Sequence, residues 1–254
     1  MRRPLRIDDD CVKSPRSGKL AEGALETESE IRGGPLEKAW QACADLYCEK
    51  VKALVSIANG DVEDEILFCL LGGFGVTFEH SRSAAKIVAD LEPFSESWDD
   101  DQLFETIVWT LSRPRFDPPR RDGTLRRYRF PQRKALLIVN ARGWLRQHAP
   151  LDKRLEALSS AKDRRAFLCS CPGIGPKTAS WLLRNLGWAE DLAILDVHVV
   201  RALSEARRIG RDVRLPRDYD AIEDAFLEWC RELGAPVPAF DLFVWEWQRS
   251  LLAR

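Results

Sequence analysis

The sequence predicts an all-α protein. Apolar residues recur at helical spacing through most of the chain from Leu36 onward. The edges of those stretches carry start and stop signals, among them Pro131 and the glycine pair after Leu71. No convincing series of period-two strands competes with them.

The elements follow in order. "LEKAWQACADLYCEKVKAL" sets Trp40, Leu46 or Tyr47, and Val51 on one face. "VEDEILFCLLGG" is a compact apolar helix that stops on glycine. "SRSAAKIVADL" and "DQLFETIVWTL" read as two more helices. "PQRKALLIVNARGWLRQ" begins with proline at a first helical position. "DRRAFLCS" and "PKTASWLLRNLG" form a pair around a Pro-Gly-Ile-Gly turn. "DVHVVRALSEARRIG", "RDYDAIEDAFLEWCRELG" and "AFDLFVWEWQRSLLAR" complete the series. Residues 1–35 are polar, with mixed charge, and read as a disordered or loosely attached tail. "SRPRFDPPRRDGTLRRYRF" is the one long irregular connection, and such connections are functional or disordered.

Composition removes several function classes. The apolar runs fall well short of the roughly 18 residues that a membrane span needs. "MRRPLRIDDDCVKSPRSGKL" has no apolar stretch after its charged start, so it does not read as a secretory signal. Cytoplasmic residence is the expectation. The seven cysteines show no disulfide framework, and the three histidines complete no zinc pattern. Reduced, buried thiols are expected, and no metal. The formal net charge is -1, which is not the global signature of a nucleic-acid binder. The distribution is uneven: from Ser112 to His148, lysine and arginine far outnumber the two acids, Asp117 and Asp122. Such a segment can form a phosphate-docking face, and Arg113 to Arg129 are expected to touch phosphates.

The stretch "CPGIGPKTASW" places Lys177 in the first turn of a helix, where the dipole disfavours a cation. The Gly173-Ile174-Gly175 turn frees backbone angles and lets an anion approach the amides of the next helix. Taken alone, the glycines read as a tight helix–helix turn. Asp196 precedes an amphipathic helix, and its ordinary role there is an N-cap.

Lys177 and Asp196 together, in "GIGPKTASWLLRNLGWAEDLAILDVHVVRAL", resemble the helix-hairpin-helix DNA glycosylase superfamily. Within it, the stretch is similar to the lysine-containing 8-oxoguanine DNA glycosylase/AP lyases. "RFPQRKALLIVNAR" resembles their basic segment before the hairpin, and "LFVWEWQRS" their aromatic C-terminal helix. The resemblance implies a two-lobed helical fold with a cleft between lobes. One lobe would run over about 61–187, with the hairpin at 172–175. The other would combine 36–60 with 188–254.

The resemblance also implies roles. Lys177 is the nucleophile that attacks the sugar C1′, releases the base and leaves a Schiff base that permits strand cleavage. An amine attacks only when neutral, and positive potential favours the neutral form. Asp196 stabilises positive charge on the sugar or moves protons. Gly173, Gly175 and Arg133 hold the DNA backbone. The base must be flipped out of the duplex. Phe74 is either the wedge that fills the gap or a core anchor. Trp181, Trp245 and Gln248 are candidates to stack on or read the base, against the ordinary reading of aromatics as core. The resemblance further implies double-stranded DNA as the partner, hence nucleoid association within the cytoplasm, a monomer, and no cofactor. Three features depart from the family: Trp181 is bulkier than usual, the arginine insert is longer, and only Cys230 follows Cys171, which excludes a four-cysteine iron–sulfur cluster. Two other readings remain open. One keeps the chemistry but excises a hypermodified phage cytosine in antiphage defence. The other is a non-catalytic DNA-binding hairpin module.

Overall fold

The structure, a computed structural model, describes residues 34–57, 61–73, 75–189, 191–210 and 212–252. Most of the expected N-terminal tail, and Phe74, lie outside the described residues. Within them the regular elements are α-helices, joined by one isolated antiparallel bridge between Phe116 and Arg126. None of these helices is long and apolar enough to cross a membrane. The chain divides into two compact units, residues 55–194 and the remainder on either side.

The unit of residues 55–194 holds α2 (Val62–Leu71), α3 (Phe78–Ala89), α4 (Asp100–Ser112), α5 (Pro131–His148), α6 (Leu151–Ala157), α7 (Ala161–Leu168) and α8 (Pro176–Asn185). Its core follows from helical spacing. Ile66, Leu67, Leu70 and Leu71 of α2 share one buried core with Leu103, Ile107 and Leu111 of α4, Ala135 and Ile138 of α5, and Leu182 and Leu183 of α8. Burying a side chain of this size stabilises by roughly 1.5–3 kcal/mol. Most starts are closed by side chains. Asp61, Thr77, Asp99 and Ser160 cap α2, α3, α4 and α7. Helices α5, α6 and α8 lack such a cap, and of these α5 and α8 begin on proline and have no acid in the first turn. Their first turns carry Arg133, Lys134 and Lys177 instead. Helix α6 is an addition to the expected series; it seats Leu151 and Leu155 in the core.

The long arginine connection is folded. Arg115 and Phe116 amides donate to the Arg126 carbonyl, and the Arg126 amide returns a bond to Phe116. A tight turn at the tip brings the Gly123 amide to the Arg120 carbonyl at 3.0 Å. Phe116 and Tyr128 anchor the base: both are buried, and both pack on the His80 ring of α3. Burial holds the His80 imidazole below the usual histidine range.

The other unit contains α1 (Pro35–Ile57), except for its last turn, with α9 (Val197–Glu205), α10 (Tyr219–Leu233) and α11 (Val237–Leu252). An aromatic cluster forms its core. The Phe240 ring, fully buried, meets Trp40 edge-on at 5.2 Å, Trp229 edge-on at 5.0 Å and Phe226 face-on at 5.5 Å. Gly234 ends α10 in the left-handed conformation, with its amide bonded back into the last turn.

Candidate active site

The hairpin is built from α7, the turn Cys169–Gly175 and α8. Gly173 has φ of +88°, a conformation that disfavours any side chain. A methyl group there would stand 2.9 Å from Leu137 of α5 and 3.0 Å from Leu70 of α2. Gly173 therefore serves both the turn and the close seating of the hairpin on the core. Gly175 differs from the expectation. Its φ of -99° and ψ of 178° are extended backbone open to any residue, and a methyl group there would meet nothing within 4 Å. The space in front of it is free for an approaching group. Below the turn, Cys171 and Ile174 are buried, and burial pushes the Cys171 thiol up to about 12.

Helix α8 starts beyond that open glycine. Its first amides have no side-chain acceptor, so they face outward as donors at the positive end of a helix. Lys177 sits among them, half-buried, and makes no ion pair with any described residue. Its charge reaches the neighbouring Cys69, where it acts with Arg184 against the burial that drives that thiol well above its usual range. One turn on, Trp181 lies half-buried on the same side of α8. Its ring meets Phe68 edge-on at 5.1 Å, and a methyl group at Gly72 would lie 3.1 Å from its Cζ3.

The end of α2 beside Trp181 is unusually well held. Ser81 Oγ donates to the Phe68 carbonyl at 3.2 Å. Tyr128 Oη donates to the Leu71 carbonyl. Lys134 Nζ donates to the carbonyls of Leu70 and Gly72, the latter at 2.6 Å. Helices leave their last carbonyls without intrahelical donors, and here three side chains supply them. Burial, with Arg133 adding repulsion, lowers the Lys134 ammonium to about 8. The next turn depends on glycine, since Gly73 and Gly75 both have positive φ and Arg129 lies over Gly75. Sequence reasoning missed Lys134. The available signal was a basic pair in the first turn of α5, against the helix dipole. Its neighbour Arg133 is exposed and makes no ion pair with a described residue.

Asp196 belongs to the other unit, where it caps α9. Its Oδ1 accepts from the His198 amide at 2.8 Å and the Val199 amide at 3.0 Å. The ordinary role is thus present in the geometry, and the second carboxylate oxygen takes no part in the cap. Trp245 is half-buried, with the Arg249 guanidinium 4.3 Å above its ring. Gln248 departs from the part of a base reader: it is 1% exposed, and its Nε2 donates to Glu205 at 2.8 Å. As folded here it joins α11 to α9.

A family model described as 8-oxoguanine DNA glycosylase, Ogg-HhH, matches residues 121–235. A curated 8-oxoguanine DNA glycosylase/AP lyase of Metallosphaera sedula is 32% identical over 132 residues, which are 50% of this chain and 61% of that protein. The chain thus matches less than two thirds of that relative's length. The protein of the same name from Fusobacterium nucleatum is 23% identical over 219 residues, with 83% of this chain and 92% of that one covered. In fold, the chain is similar to the Methanocaldococcus jannaschii 8-oxoguanine glycosylase/lyase solved in complex with a 15mer DNA containing 8-oxoguanine. The TM-score is 0.65 at 24% identity, over 85% of this chain and 97% of that one. Residues 121–235 thus match the Ogg-HhH family model, and the chain as a whole has the helical fold of the solved 8-oxoguanine glycosylases.

Proposed function

We propose that this protein is a DNA glycosylase with abasic-site lyase activity that acts on duplex DNA, with 8-oxoguanine as its leading base. The carrying observation is Lys177: a half-buried lysine, in no ion pair with a described residue, in the first turn of the hairpin's second helix. A surface lysine tolerated at a helix start would be exposed. The names of the relatives supply the substrate class.

The chemistry follows from the groups present. A phosphate of the substrate docks on the outward amides of α8, with the open face of Gly175 giving it room. The extruded base leaves C1′ within reach of Lys177. The amine lone pair forms a bond to C1′ as the glycosidic bond breaks, and the base departs with its bonding electrons and a proton. The nitrogen gives that proton to the departing base, and O4′ takes a proton from water as the sugar ring opens, which leaves the iminium Schiff base and a 4′ hydroxyl. Removal of a C2′ proton expels the 3′ phosphate. Asp196 has a carboxylate oxygen outside its cap, and that oxygen is suited to positive charge on the sugar.

Borohydride reduction during turnover tests this reading. The wild type on an 8-oxoguanine duplex should yield a covalent protein–DNA adduct, and Lys177→Gln should yield none while still binding the duplex. Full trapping by Lys177→Gln would overturn the assignment. A parallel duplex carrying glucosylated hydroxymethylcytosine separates the defence alternative, which predicts cleavage there and none at 8-oxoguanine.

A further inference from the structure

We propose that the arginine hairpin, residues 113–129, is a second phosphate-binding surface for the same duplex, distinct from the helix-hairpin-helix turn. The proposal rests on the reading of the chain as a DNA glycosylase.

The first support is charge without internal neutralisation. Seven arginines stand between Ser112 and Phe130 against Asp117 and Asp122. Asp122 Oδ1 is occupied by the Thr124 hydroxyl and amide at the tip, close enough to Arg120 to feel its charge. No arginine of the hairpin forms an ion pair with a described residue. Arg120, Arg121 and Arg127 are exposed. A cluster of like charges destabilises its own fold by repulsion, so an unneutralised cluster calls for an anionic partner.

The second support is rigidity. A disordered basic loop loses entropy when it binds, whereas this one is already folded. Its bridge, its tip turn and the Phe116 and Tyr128 anchors fix the backbone. Arg126 is spent on that framework, with its Nε donating to the Pro118 carbonyl at 2.7 Å. Arg113 and Arg115 stand over the exposed Trp109 ring at 4.6 and 5.1 Å, which keeps both guanidinium groups at the surface.

The third support is position, all within one unit. The base of the hairpin reaches the end of α2 through Tyr128, which bonds Leu71, and Arg129, which covers Gly75. The helix-hairpin-helix turn reaches the same end of α2 through Gly173, which packs on Leu70. The two cationic features therefore meet at the same end of α2, around Leu70, Leu71 and Gly75, and a duplex with one phosphate at the α8 amides carries further phosphates on either side of it along the backbone. The occupant that suits the hairpin is the phosphodiester backbone of that duplex.

The test compares the wild type, the triple variant Arg120→Gln/Arg121→Gln/Arg127→Gln, and the charge-preserving triple variant Arg120→Lys/Arg121→Lys/Arg127→Lys. Kd for a duplex with a tetrahydrofuran abasic analogue is measured across salt concentrations. Each lost phosphate contact lowers the slope of log K against log salt by about 0.9. The glutamine variant should lose roughly two to three units of slope, and the lysine variant should keep the wild-type slope. A glutamine variant with the wild-type slope overturns the proposal and leaves the hairpin facing solvent or a protein. Borohydride trapping of the wild type keeps the two readings apart. Trapping with an unchanged slope removes only the hairpin surface; a changed slope without trapping leaves the surface and removes the catalytic reading.

Discussion

Lys134 Nζ donates to the Gly72 carbonyl at 2.6 Å and also to the Leu70 carbonyl, so one side chain of α5 closes the end of α2. A charged group placed so deep has a definite consequence for stability. Its folded pKa, about 8, lies below the 10.5 of a free lysine, with burial as the main cause. Between these values the unfolded chain binds more protons than the folded one, so stability rises with pH across that window. The favourable contribution is complete above 10.5 and is lost as pH falls through 8. Lys134→Met removes the titration. Urea denaturation of both proteins from pH 7.5 to 10 should show the wild type gaining stability relative to the variant. A gap that narrows with rising pH would contradict the buried placement.

The two hairpin glycines should respond in opposite ways to alanine. Gly173→Ala sets a methyl group against Leu137 and Leu70 at positive φ. The conformation costs about 1–2 kcal/mol and the overpacking about 1–3 kcal/mol more. A fall in Tm of roughly 4–20 °C is expected in a chain of this size. Gly175→Ala meets no neighbour and needs no special conformation, so its Tm should stay within about 2 °C of wild type. Its methyl group stands where the phosphate approaches, and duplex affinity should fall. Thermal melts and a binding isotherm for each variant check both halves. Equal affinity in Gly175→Ala and wild type would show that the phosphate does not pass over this glycine.

Asp196 holds a cap and is assigned a charge-stabilising role, and two substitutions separate these. Asn caps as well as Asp, so Asp196→Asn should keep the His198 and Val199 bonds and the Tm. Single-turnover base excision should nevertheless slow by about 10²-fold or more, as in the loss of a transition-state charge partner. Asp196→Ala should lose the cap as well, at about 1 kcal/mol. Excision by Asp196→Asn at the wild-type rate would leave Asp196 as a cap alone.

Much of this was legible in the sequence, for physical reasons that also mark where reading stopped. Helices such as α4 announce themselves because Leu103, Ile107 and Leu111 recur every four residues on a buried stripe. Helix α6 escaped because seven residues are too few for a period to show. The start of α3 was placed late because the Thr77 cap lies before the apolar repeat. The arginine hairpin looked irregular because its order rests on two anchors, Phe116 and Tyr128, and one bridge, amid exposed charge. Lys177 and Asp196 were visible because each occupies a helix start, where residue type has local meaning. Lys134 is missed and Gln248 misread because their partners, Gly72 and Glu205, are distant in the chain, and only the fold brings them together.

Trp181 poses the sharpest remaining question of role, since its ring is half core and half surface. It packs edge-on against Phe68 and closely over Gly72, yet it lies one turn from Lys177 on the same side of α8. A ring that stacks on the extruded base matters only while a base is present. Stacking of this kind contributes about 1–3 kcal/mol per base. Trp181→Leu should therefore slow excision of 8-oxoguanine by about 5- to 150-fold. The same variant should cleave a preformed abasic duplex at a rate near wild type, because no base remains to stack. Trp181→Phe keeps an aromatic face and should recover most of the excision. A purely structural ring predicts otherwise: both reactions would fall together in Trp181→Leu, in step with a lower Tm. Single-turnover rates on the two duplexes, set beside thermal melts of the three proteins, distinguish these outcomes. Equal loss on both substrates would return Trp181 to the core.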